Sequence, residues 1–71
     1  MSSHHPANGV TLGFPQTGEA IVTAYGNFPA EGFARLLGDA SHVVERDTGK
    51  RPAGRLTLRD GAIEVCVKAA G

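Results

Sequence analysis

The side chains of this 71-residue chain that can do chemistry are three histidines, one cysteine and seven carboxylates, with seven lysines and arginines to steer or bind. His4 and His5 are adjacent near the start of the chain. A structural zinc needs two further ligands and a fixed outer shell, and nothing nearby in the sequence supplies them. His42 follows Asp39 by three residues, a spacing at which a carboxylate can orient an imidazole on a helix. A general base, however, needs an environment that excludes water, and His42 falls on a polar helical face. Cys66 lies near Arg55 in the expected strand pairing, and a cation lowers a thiol pKa, but no general base accompanies it. Asp47-Thr48-Gly49-Lys50 resembles the end of a phosphate loop. It lacks the upstream glycine, and it leaves a helix where a phosphate loop opens one. Gly32 and Gly38 fall inside a helix and carry no dinucleotide fingerprint. No catalytic residue, metal ligand or cofactor is therefore expected, and the sequence weighs against an enzyme.

The charges have direction. Residues 1–45 hold one arginine and four acids, whereas residues 46–71 hold six basic and three acidic residues, so the two parts carry −3 and +3 within a net charge of zero. Lys50, Arg51, Arg55 and Arg59, with Lys68 nearby, make a basic hairpin and loop, and Tyr25 is expected on the same sheet face. Such a surface suits an acidic protein partner, or the acidic half of a second copy. It also admits nucleic acid, with Tyr25 stacking on a base. An isoelectric point of about 6.8 and a single candidate stacking aromatic favour protein over nucleic acid.

The element that must position these residues is one amphipathic helix over Pro29 to Arg46. Phe33, Leu36, Leu37, Ala40, Val43 and Val44 recur at helical spacing in a stripe about 120° wide. Glu31, Arg35, Gly38, His42 and Glu45 face the other way. Pro29 is expected at the first helical position and Gly49 as the left-handed stop.

Two hairpins flank the helix. Gly9 to Phe14 alternates as a strand, Pro15 to Glu19 has turn chemistry, and Ala20 to Tyr25 alternates again. The preferred register sets Phe14 against Ala20, Leu12 against Val22 and Val10 against Ala24, because a one-residue slip would turn every side chain over. Arg55 to Lys68 forms the second hairpin about Asp60-Gly61, a type I′ signal. That turn pairs Leu58 with Ile63 and Leu56 with Val65 on one face, and Thr57 with Glu64, Arg55 with Cys66 and Arg59 with Ala62 on the other.

The expected fold is α+β, a two-layer β-β-α-β-β domain with a four-stranded, largely antiparallel sheet and one helix on one face. The core is expected to join Val10, Leu12, Phe14, Val22, Leu56, Leu58, Ile63, Val65 and Val67 to the helical stripe. Residues 1–8 read as a disordered tail and 9–71 as a single domain. A core this small needs support, and one sheet face is left bare, so a homodimer is expected. No apolar run approaches the roughly 18 residues of a membrane span, so no membrane association is expected. A single cysteine and no signal peptide fit the cytoplasm. The function that follows is a small non-catalytic interaction module binding a protein partner. The alternative is a nucleic-acid-binding regulator, and behind it a small enzyme or small-molecule-binding subunit.

Overall fold

The computed structural model describes residues 8–70. Their elements run β1 (Gly9–Gln16), β2 (Glu19–Tyr25), α1 (Ala30–Thr48), β3 (Pro52–Arg59) and β4 (Ala62–Ala69). The sheet is antiparallel throughout, in the order β1-β2-β4-β3, with α1 packed across one face, chiefly over β2 and β4. This is the two-layer α+β fold expected, and it supplies the strand order that the sequence left open. The expected unstructured tail falls on residues 1–7, outside the described residues, and on Asn8, whose side-chain oxygen accepts the Asn27 N–H at 2.9 Å.

Each hairpin reports on its turn. Asp60 and Gly61 both take positive φ, 44° and 79°, as a type I′ turn requires, and every expected pair from Arg55↔Cys66 to Arg59↔Ala62 forms. In the first hairpin Val10↔Ala24 and Leu12↔Val22 also form as expected. The expected turn over Pro15 to Glu19 does not. β1 continues to Gln16, which pairs with Glu19 across Thr17 and Gly18, and the register shifts between Gly13 and Gln16. Phe14 and Pro15 thus stand together against Ala20 as a β-bulge, which bends the strand and absorbs a proline that cannot donate to a ladder. The bulge takes Phe14 out of alternation, and the ring expected in the core stays 51% exposed.

The helix starts one residue later and ends two residues further on than the apolar stripe suggests. Pro29 is its cap, with extended backbone (φ −73°, ψ 123°), and the Pro29 carbonyl accepts the Phe33 N–H at 3.0 Å. Phe28 folds back onto Phe33, edge to face at 5.3 Å between ring centroids. Gly49 closes the helix in the left-handed conformation, φ 70°, donating its N–H to the Glu45 carbonyl.

Among the described residues the buried core is built of alanine and valine: Ala20, Val22 and Ala24 of β2, Val65 and Val67 of β4, and Ala40 and Val44 of α1. Val10, Leu12, Phe33, Leu36, Leu37 and Ile63 pack against it and are only partly covered. Leu56 and Leu58, expected in the core, are 61% and 73% exposed. They lie on the helix side of the sheet, as their pairs with Val65 and Ile63 require, but on the edge strand beyond the cover of α1.

One contact ties the first turn to the end of the helix. Gly18 has φ 83°, and a Cβ placed on it would come within 2.9 Å of Thr48 Cγ2. Gly18→Ala is therefore expected to cost more than about 1 kcal/mol. Val44→Ala should cost about 2 kcal/mol through lost burial and a cavity. His42→Ala, on the exposed face of α1, should stay within about 0.5 kcal/mol of the parent. Urea melts of the three variants check the helical phase, which would be misassigned if His42→Ala were as harmful as Val44→Ala.

Candidate functional site

Alternation puts one set of side chains on the sheet face away from α1, and cross-strand register arranges them in rows. Gly13, Ile21, Cys66 and Arg55 form one row; Thr11, Thr23, Glu64 and Thr57 the next; Gly9, Tyr25, Ala62 and Arg59 the third; and Glu19, Lys68 and Ala53 a partial fourth. Arg55, Arg59, Lys68 and Tyr25 therefore share one face. Lys50 and Arg51 lie in the connection between α1 and β3, at the opposite end of β3 from Arg59. The Arg51 carbonyl accepts the Ala70 N–H at 2.8 Å, so the ladder to β4 extends past the strand and Arg51 keeps the parity of Arg55 and Arg59.

The basic residues form a line along β3 instead of a cluster. At four-residue spacing, Arg51, Arg55 and Arg59 stand about 13 Å apart. Arg59 Nη2 reaches Glu64 Oε1 at 4.0 Å, an exposed ion pair of small energetic weight. Among the described residues no carboxylate comes within 4 Å of the charged groups of Lys50, Arg51, Arg55 or Lys68. Two hollows lie along the line, one at Arg55 and one at Arg59. One is lined by Ala53, Gly54, Arg55, Cys66, Lys68 and Ala69. The other, lined by Thr23, Tyr25, Arg59, Asp60, Ala62 and Glu64, mixes one cation with two acids, so Tyr25 does not stand on a purely basic platform.

Cys66 and Glu19 are brought together by the β2–β4 register. The Cys66 thiol donates to Glu19 Oε2 at 3.1 Å, and Gln16 Nε2 donates to Glu19 Oε1 at 2.8 Å. Burial, followed by the hydrogen bond and charge of Glu19, pushes the Cys66 thiol up from its ordinary value. The same thiol bond, then the Gln16 bond, with Lys68 nearby, holds the Glu19 carboxyl below the usual carboxylate range. The arrangement runs opposite to nucleophile activation, because the carboxylate stabilises the thiol and disfavours the thiolate. Arg55 pairs with Cys66 across the ladder as the sequence suggests, but Glu19, unconsidered in the sequence reading, dominates the polar environment of the sulfur. It was not findable there, because the contact spans two hairpins whose adjacency the sequence leaves open.

His42 is exposed on α1 and Asp39 beside it is exposed too, with no enclosing wall. No group of three His, Cys, Asp or Glu side chains gathers as a metal site among the described residues, and His4 and His5 lie outside them. No described helix is long and apolar enough to cross a membrane. No protein-family model, curated protein or solved structure matches the chain.

The Cys66–Glu19 bond makes a kinetic prediction. Alkylation of Cys66 by iodoacetamide at pH 8 should be severalfold slower than that of the unfolded chain, since less thiolate is present. Glu19→Gln should quicken it while leaving it slower than in the unfolded chain, because the contribution of burial remains. A rate indifferent to Glu19→Gln would dismiss the contact.

Proposed function

We propose that this chain is a small, cytoplasmic, non-catalytic interaction module that works as a homodimer and binds an acidic protein surface through its open sheet face and basic second hairpin. The observation that carries the reading is the one-sided sheet: α1 covers one face, while the other presents Arg55, Arg59, Lys68 and Tyr25 on paired strands. Binding asks only for such a surface, whereas chemistry asks for an acid, a base and a site that excludes water. The homodimer is supported by the size of the core, which contains no fully buried side chain larger than valine among the described residues.

Nucleic acid is the second reading, favoured by the even spacing of Arg51, Arg55 and Arg59 along one strand with Tyr25 in the row of Arg59. Asp60 and Glu64 beside Tyr25 weigh against it, since they repel phosphate at the one place where a base would stack.

Capture from native lysate, with and without nuclease, tests the two readings together. Partners that survive nuclease, are lost on Arg55→Glu/Arg59→Glu and are kept on Arg35→Glu support the protein reading. Direct binding to mixed oligonucleotides, weakening by about 0.7–0.9 log units per log unit of salt for each phosphate contact, would replace it with the second. Turnover of a small molecule by the purified chain would overturn both.

A further inference from the structure

We infer that two copies of this chain join through their β3 edges, antiparallel and centred on Leu56, to make one continuous eight-stranded sheet. The inference deepens the homodimer reading above and rests on it. β1 and β3 are the two edges of the sheet, and they are treated differently. β1 is guarded, because the bulge at Phe14 and Pro15 bends it and removes a donor. β3 has no such interruption after Pro52, and Ala53 to Arg59 are all exposed.

The groups that β3 offers follow from its pairing with β4. A type I′ turn makes Arg59 and Ala62 a hydrogen-bonded pair, and the same parity recurs at Arg51, whose carbonyl binds the Ala70 N–H. Thr57, Arg55 and Ala53 therefore turn their backbone groups inward to β4. Leu58, Leu56 and Gly54 turn theirs outward, which is the set a second strand needs. Pro52, which has no N–H to give, falls at an outward position at the start of the strand, where it breaks no bond to β4. The side chains of Leu56 and Leu58 stand on the helix side, 61% and 73% exposed.

Charge then selects the register. Centred on Leu56, the twofold pairing sets Leu56 against the partner's Leu56, Leu58 against the partner's Gly54, Arg55 against the partner's Thr57 and Arg59 against the partner's Ala53. No like charges stand directly opposite each other. A shift of two residues in one direction opposes Arg55 to the partner's Arg55; two in the other direction opposes Arg55 to the partner's Arg59. A one-residue slip would set outward groups against inward ones and split the leucines between faces. Gly54 adds a steric fit: a Cβ there would already sit 3.3 Å from Val65 Cγ1, so its missing side chain leaves room for the partner's Leu58 to lie over Val65. The closed twofold axis runs through the sheet, puts both helices on one side with four leucines between them, and joins the two open faces into a surface with a doubled line of arginines.

Sedimentation velocity of the intact, purified chain from low-micromolar to near-millimolar concentration is the test, with circular dichroism confirming that each variant folds. The parent should run as a dimer. Leu56→Lys, which opposes two lysines at the axis, should run as a folded monomer, and so should Thr57→Arg made together with Glu64→Gln, which opposes each new arginine to the partner's Arg55 with no carboxylate facing it across the β3–β4 ladder. Thr57→Glu made together with Glu64→Gln, which removes the carboxylate facing residue 57 across the β3–β4 ladder, should tighten the dimer up to about tenfold relative to Glu64→Gln alone by placing two cross-strand ion pairs. Because Thr57 is exposed and on the other face from the leucines, its variants read the pairing even if Leu56→Lys does not fold. In the Glu64→Gln background, a dimer indifferent to Thr57→Arg, or weakened by Thr57→Glu, would overturn the β3 pairing while leaving the homodimer standing. A parent monomeric at every concentration would overturn both, and the binding of an acidic partner would still be decided separately by the capture experiment.

Discussion

The ladder between β2 and β4 is the interaction on which the rest of the structure depends. An isolated two-stranded hairpin is marginal in water, and among the described residues this ladder is the seam that turns two hairpins into one sheet. Its helix-side residues, Ala20, Val22, Ala24, Val65 and Val67, are small, so α1 can approach closely and bury Ala40 and Val44 against them. A helix centred on the middle strands covers the edge strands less. The exposure of Leu56 and Leu58 is thus the geometric consequence of where the seam lies.

The same seam sets the chemistry of the open face. It brings Glu19 to Cys66 and holds the sulfur as a thiol, with Gln16 anchoring the other carboxylate oxygen. Because Glu19 is held below the usual carboxylate range, its contribution to stability is present above that range and is lost as the pH falls through its lowered value. The arginines of β3, by contrast, are organised by the edge strand alone, at a fixed spacing and largely without carboxylate partners. A surface of that kind recognises shape and charge, and its specificity comes from rigid presentation more than from any enclosed pocket.

A core of alanine and valine also bears on assembly. Each such side chain buries little apolar area, so the two-layer unit gains modestly from folding, and the leucines that would add most are the ones left outside. The two edges then carry opposite messages. The β1 edge is interrupted by its bulge, while the β3 edge keeps an unbroken register with β4, is exposed, and is lined on one face by apolar side chains, the condition under which edge strands associate.

The sequence by itself determined whatever depends on local periodicity and turn chemistry. The 3.6-residue stripe gave the helix, Asp60-Gly61 gave the second hairpin with every pair in register, and the alternation of Val10, Leu12 and Val22 gave the first hairpin except at its end. There, the competition between Pro15 and the ladder was resolved by a bulge, which no alternation pattern announces. It also placed Arg55, Arg59, Lys68 and Tyr25 on one face, because parity along a strand is a local property. The strand order, the exposure of Leu56 and Leu58, and the meeting of Glu19 with Cys66 were settled by the tertiary structure alone. Each of these depends on which hairpin edges join beneath the helix, a contact between residues distant in sequence that no local pattern encodes.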